Sequence, residues 1–196
     1  MNKKRILLLT TGGTIASAAT EEGLAPNITG AGLQQFVGGM LDAFCVTVKD
    51  ILHLDSSNMQ PEEWEFIARS VYESWRDFDG IVITHGTDTM SYTAAALSFM
   101  LCGIPIPVVL TGAQLRTAFA MAASGYGGVY LAFDRRVILG TRAVKTHTMN
   151  FGAFESVNAP PAAEVNAHGL VVNEAVLPAC DPEFQLRADL CRAGFL

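Results

Sequence analysis

Gly80-Ile81-Val82-Ile83-Thr84-His85-Gly86-Thr87-Asp88-Thr89-Met90 sets a short apolar, β-branched run against a polar turn. The run reads as a buried strand. Gly86 permits a tight turn, and Ser91-Tyr92-Thr93-Ala94-Ala95-Ala96-Leu97 then opens an Ala-rich helix. Thr87 and Asp88 are therefore held where a strand ends and a helix begins. Backbone N–H groups at a helix start are unpaired and point outward, so such a place suits an anionic or polar ligand.

Working outward, the same unit recurs. Arg5 to Thr10 is a first strand, followed by the turn Thr11-Gly12-Gly13-Thr14-Ile15-Ala16-Ser17. Residues 18–30, with Glu21-Glu22-Gly23 and Ala25-Pro26-Asn27, read as a long loop. A helix is expected from Gly30 to Met40, and a strand from Val46 to Leu54 that ends in Asp55-Ser56-Ser57-Asn58. Pro61-Glu62-Glu63-Trp64 opens a further helix, with proline and acids in the first turn as the dipole prefers. Trp64, Ile67, Ala68, Val71 and Trp75 give it a buried stripe. After the central unit come a strand at Pro107 to Leu110, the turn Thr111-Gly112-Ala113-Gln114, a helix from Arg116 to Ser124 and a strand at Val129 to Phe133. The turn Asp134-Arg135-Arg136 returns into Val137-Ile138-Leu139.

Strands alternating with helices predict an α/β fold: a mostly parallel, open, three-layer sheet with helices on both faces. Ligands of such sheets bind beyond the carboxyl ends of the strands. Four turns rich in Thr, Ser, Asp and Gly reach that one edge, so a small polar ligand is expected there. Half of the 196 residues are hydrophobic and 16% are charged, as in an ordinary globular protein. A net charge of −6 argues against nucleic acid or an acidic membrane as main partner. Cys45, Cys102, Cys180 and Cys191 are scattered without metal-ligand spacing and read as reduced thiols. No metal and no cofactor is expected. Lys3-Lys4-Arg5 before Ile6-Leu7-Leu8-Leu9 resembles a leader only briefly, since the apolar run is short and leads into a turn. A cytoplasmic protein is expected.

The chemistry is less legible. No G-x-G-x-x-G, P-loop lysine, G-x-S-x-G or H-E-x-x-H is present. A hydroxyl nucleophile, Thr14 or Thr87, needs a base. His53, His85, His147 and His168 each read more simply as structural or surface residues. Lys145, in the alternating run Arg142-Ala143-Val144-Lys145-Thr146-His147, is by spacing alone a surface lysine. A partly desolvated lysine among hydroxyls can nevertheless act as a base. The residues by themselves reach a small polar ligand and threonine-based acyl transfer, and stop there.

Taken in order, Thr11-Gly12-Gly13-Thr14-Ile15-Ala16-Ser17, Asp55-Ser56-Ser57, His85-Gly86-Thr87-Asp88-Thr89-Met90, Thr111-Gly112-Ala113-Gln114 and Val144-Lys145-Thr146 resemble the bacterial-type L-asparaginases, with the intracellular type the best match. Phe154-Glu155-Ser156-Val157-Asn158 is similar to a later block of the same family, and the likeness runs from Arg5 to about Glu164. It implies hydrolysis of L-asparagine to L-aspartate and ammonia, with Thr14 as the nucleophile of an acyl-enzyme. It implies a second cluster of Thr87, Asp88 and Lys145, the lysine easing proton transfer through Thr87. Asp88 would also hold the substrate α-ammonium and Ser56 with Ser57 its α-carboxylate, with Asp55 and Gly86 beside them. Main-chain groups at Thr87 and Ala113 would contact the oxyanion and leaving amide, and residues 18–26 would form a lid. A homodimer or tetramer is implied, with a neighbouring protomer completing each site.

The family pattern is departed from in three places. The first tyrosine is Tyr72, and Leu24 stands in the lid context Gly23-Leu24-Ala25-Pro26, where a tyrosine is common. Gln114-Leu115 runs directly into Arg116-Thr117-Ala118-Phe119, where family members carry a further loop, so a missing segment is expected there. Residues 1–165 are read as the catalytic domain, 166–182 as an interdomain linker and 183–196 as the start of a smaller α/β domain largely absent from this chain. Competing readings are a glutaminase-asparaginase, an asparaginase-like component of a tRNA-amidotransferase, and a truncated domain that binds an amino acid without turning it over.

Overall fold

The computed structural model describes residues 3–12, 17–20, 23–26, 43–112, 114–147 and 152–188. The helix expected between Gly30 and Met40 lies outside them, as do Thr14 and Ala113. The architecture follows from the buried runs. Strand β1 (Lys4–Thr10) is buried from Ile6 onward, and β5 (Gly80–Thr84) and β6 (Pro107–Thr111) are buried throughout. Apolar residues on both faces are what a strand covered by helices on both sides requires.

With β4 (Phe44–Asp50), β7 (Gly128–Phe133), β8 (Arg136–Leu139), β11 (Ala163–Asn166) and β12 (Gly169–Val172), they form one sheet in the order β12-β11-β8-β7-β6-β5-β1-β4. The pairs from β4 to β7 are parallel, and those from β7 to β12 antiparallel. Helices α1 (Pro61–Ser74) and α2 (Met90–Met100) cover one face, packing Ile67, Val71, Met90 and Leu97 with Leu7, Ile81 and Val108. Helix α3 (Leu115–Ala122) covers the other, where Phe119 and Ala122 meet Ile6, Val82 and Tyr130. The expected three-layer, mostly parallel α/β fold is observed.

Details differ from the sequence reading. The strand expected at 46–54 is shifted to 44–50, in register with β1 from Lys4↔Phe44 to Thr10↔Asp50. Beyond Asp50 the chain turns across the end of β1: the N–H groups of Ile51 and Leu52 both donate to the Thr10 carbonyl, and Leu54 N–H to that of Thr11. Within the loop expected at 18–30, β2 (Ser17–Thr20) and β3 (Gly23–Pro26) pair as an antiparallel hairpin. Residues 169–172, read as linker, form the outermost strand β12 against β11. The Asp134-Arg135 turn is observed, both residues adopting positive φ (45° and 59°) between the paired Phe133 and Arg136. At 182–188 the chain packs back on the helices: Phe184 is buried edge-on against Tyr72 and Trp75, and Arg187 N–H donates to the Met100 carbonyl.

Candidate functional site

The turns that follow β1, β4, β5 and β6 meet at the carboxyl edge of the sheet, and close contacts link them. Gly12 has φ +100° and lies against the Leu54 backbone; a Cβ there would stand 2.6 Å from the Leu54 carbonyl oxygen. Gly86 lies against Ser56, where a Cβ would come within 2.5 Å of Oγ. Gly112 lies against Thr87, with 2.9 Å to its Cγ2. These glycines are required by approach of neighbouring loops, since Cβ contacts that short do not occur without displacement. Two hydrogen bonds reinforce the edge, from Thr11 N–H to the Thr84 carbonyl (3.2 Å) and from His85 N–H to the Thr111 carbonyl (2.9 Å).

Short strand β9 (Ala143–Lys145), paired with β10 (Phe154–Ser156), delivers Lys145 to this edge. Its Nζ donates to Asp88 Oδ1 at 2.6 Å and to Thr87 Oγ1 at 3.3 Å. The lysine side chain is 15% exposed, and that of Asp88 is 68% exposed. A largely covered lysine thus faces a hydroxyl and an accessible carboxylate, an arrangement in which the neutral amine can take a proton from the hydroxyl and the carboxylate can hold an ammonium group. Thr87, Asp88 and Lys145, three of the four residues expected to be catalytic, are brought together; Thr14 lies outside the described residues.

Asp55, Ser56 and Ser57 occupy a single 3-10 turn, Ser56–Asn58, capped by Asp55. Asp55 Oδ1 accepts from Ser57 N–H at 2.9 Å and from Ser57 Oγ at 2.7 Å. These two bonds, the backbone one larger, hold the Asp55 carboxyl below its ordinary pKa. Ser56 is buried, and its carbonyl accepts from Thr89 Oγ1 at 2.7 Å. Gly86 sits on Ser56 as described.

His85 is buried and fully engaged. Its Nδ1 lies 2.7 Å from the Gly86 carbonyl, which can only accept, so the proton is on Nδ1. Nε2 then accepts from Thr93 Oγ1 at 2.9 Å, and that hydroxyl accepts from Trp64 Nε1 at 2.9 Å. Burial pushes the His85 pKa down. The chain from Trp64 through Thr93 and His85 fixes the peptide plane immediately before Thr87. His53, His147 and His168 are exposed. No sequence signal connects Trp64 with His85, and none assigned a task to Thr89; both relationships exist only across helix packing. Among the described residues, no group of three His, Cys, Asp or Glu could hold a metal ion. Cys45, Cys102 and Cys180 are free and exposed. None of the described helices is long and apolar enough to cross a membrane.

Residues 5–177 match the family model described as asparaginase, N-terminal. The L-asparaginase of Thermococcus kodakarensis is 42% identical over 198 residues, a span covering 91% of this chain and 60% of that protein. L-asparaginase 1 of Escherichia coli is 38% identical over 188 residues, covering 86% of this chain and 55% of the relative. The solved thermostable L-asparaginase of Thermococcus kodakarensis superimposes with a TM-score of 0.80 at 44% identity, over 86% of this chain and 56% of that one. The chain therefore spans little more than half the length of these relatives. A glutamyl-tRNA(Gln) amidotransferase component of Methanosphaera stadtmanae is 35% identical over 195 residues, with 88% of this chain and 44% of the relative covered. With the family model matching residues 5–177, most of its length, the chain belongs to the asparaginase family.

Proposed function

We propose that this protein is an L-asparaginase that hydrolyses the side-chain amide of L-asparagine through a threonine nucleophile. The observation that carries this reading is Lys145 Nζ between Thr87 Oγ1 (3.3 Å) and Asp88 Oδ1 (2.6 Å). Thr14, four residues beyond β1 in sequence, attacks the amide carbon; its proton passes through water or the Thr87 hydroxyl to the neutral amine of Lys145 and is then given to the amide nitrogen, so that the nitrogen departs as ammonia. The Thr87 N–H and the Ala113 main chain stabilise the oxyanion and the departing amide. Ammonia leaves with an acyl group on Thr14, and water cleaves that ester to give L-aspartate. Asp88, largely exposed, takes the substrate α-ammonium, while the turn of Asp55, Ser56 and Ser57 takes the α-carboxylate.

A zwitterion suits this edge: Asp88 offers an accessible anion for the ammonium, and the Ser56 hydroxyl offers a donor for the carboxylate, the Ser57 N–H and hydroxyl being bonded to Asp55. The hairpin of β2 and β3 supplies the lid segment, with Leu24 where a tyrosine is common. The reaction needs no metal or cofactor. We assign the protein to the cytoplasm, because a probable cytoplasmic L-asparaginase of Campylobacter jejuni superimposes with a TM-score of 0.79 at 30% identity; a homodimer or tetramer is what the family resemblance implies.

Ammonia release from L-asparagine and from L-glutamine tests the proposal, with L-asparagine the better substrate. Absence of release from both, by protein that still binds L-aspartate, would make this a binding domain instead. The relation to the amidotransferase component favours a second reading, tRNA-linked amide hydrolysis. Stimulation of ammonia release by glutamyl-tRNA would select it; the net charge of −6 speaks against it.

A further inference from the structure

Resting on the proposed reading, the two anchors of a zwitterionic substrate raise a geometrical question. The α-carboxylate and α-ammonium sit on one carbon atom, so their protein partners must hold a fixed separation. Those partners are on different loops: Ser56 and Ser57 after β4, Asp88 after β5. In the sheet, β1 lies between β4 and β5, so no ladder hydrogen bond connects the two loops. Among the described residues, the hydrogen bond between them comes from one side chain. Thr89 Oγ1 donates to the Ser56 carbonyl at 2.7 Å, next to the close contact of Ser56 with Gly86.

Thr89 is also the N-cap of α2, the position where a threonine hydroxyl ordinarily accepts from its own helix. Here it makes no such cap bond, and its hydroxyl proton goes to the other loop. The Ser56 carbonyl does not depend on it for satisfaction, because it also accepts from Met59 N–H at 3.1 Å. A bond that is dispensable for both elements yet displaces a helix cap points to a role in spacing the loops.

We propose that Thr89 is a positioning residue: it sets the distance between the carboxylate-binding turn at Ser56 and the ammonium-binding Asp88, and so selects ligands carrying both groups on one carbon. Two variants separate this from general support of the fold. Thr89→Val keeps the shape and removes the donor; Thr89→Ser keeps the donor. Losing one positioning hydrogen bond corresponds to about a tenfold change in affinity. Thr89→Val should raise the KM for L-asparagine about tenfold while kcat changes less than about threefold, and Thr89→Ser should restore the KM.

The inhibition constant of L-aspartate should rise in parallel with KM, whereas that of succinate, which lacks the ammonium group, should stay unchanged. In the free protein, amide exchange at Ser57 to Met59 should quicken in Thr89→Val. An unchanged KM, or equal weakening of L-aspartate and succinate, overturns the proposal. If the wild type releases no ammonia, the functional reading fails. The loop linkage is then judged on amide exchange alone, and unchanged exchange in Thr89→Val sinks that too.

Discussion

Lys145 and Asp88 form an unequal pair: their charged atoms are 2.6 Å apart, but the lysine is 15% exposed and the carboxylate 68%. The covered partner is the cation, which is the costly one to leave alone. Its second bond, to Thr87, ties the lysine nitrogen to the hydroxyl proposed to relay the proton. Lys145→Met should lower kcat by about a hundredfold or more, the usual range for a lost proton-transfer group. Lys145→Arg should not rescue it, because the guanidinium stays protonated. Steady-state ammonia release from both variants checks this, and a rescued arginine variant would argue for a purely electrostatic role.

Gly112 decides where Thr87 stands. A methyl group at 112 would lie 2.9 Å from Thr87 Cγ2, tight enough to displace it. Gly112→Ala is expected to cut kcat/KM by about tenfold to a hundredfold, since displacements under an ångström suffice for that. Gly152→Ala is the control, because nothing among the described residues lies within 4 Å of its added carbon. Equal activity of the two variants would show that Thr87 has room to spare.

Both of these expectations depend on relationships of which only part can be read from the chain. The central strand, turn and helix are legible because Ile81-Val82-Ile83 is apolar on both faces and Gly86 breaks it sharply. The shifted end of β4 is not, since Ile51, Leu52 and Leu54 continue an apolar pattern while their N–H groups already bond carbonyls at the end of β1. β12 hides for a related reason: Val171 is 54% exposed, so the strand lacks a clean buried face. The paired strands Ser17–Thr20 and Gly23–Pro26 are built largely from Gly, Ala, Ser and Pro that read as loop, and their pairing shows only in the backbone register. In the site, Thr87 and Lys145 are 58 residues apart, and periodicity carries no sign of their contact. Family resemblance named both, whereas Thr89 and the Trp64-Thr93-His85 chain emerged only from three-dimensional packing.

His85 gives a pH dependence with a definite sign. Burial lowers its folded pKa below the ordinary 6.5, so the unfolded chain binds its proton more readily. Its contribution to stability is complete above pH 6.5 and is lost as the pH falls through 6.5 toward the lowered folded value. Urea midpoints for the wild type should therefore fall between about pH 7 and 5 more steeply than those of His85→Asn. Parallel slopes would mean that His85 is not held neutral.

Phe184 seals the return of the chain onto the helices, with ring centroids 5.6 Å from Tyr72 and 5.8 Å from Trp75. It is 1% exposed, so Phe184→Ala should cost about 3–5 kcal/mol in urea unfolding. A loss under about 1 kcal/mol would indicate that this segment is only loosely applied to α1 and α2.

The central claim is that two threonines divide the chemistry, Thr14 bonding covalently to the substrate and Thr87 handling protons. Ammonia release from L-asparagine by the wild type, Thr14→Ala and Thr87→Ala tests it most directly. The wild type should release ammonia, and each variant should lose about a hundredfold or more, the scale expected when a nucleophile or proton-transfer group is removed. Wild-type turnover retained by either variant would contradict the claim.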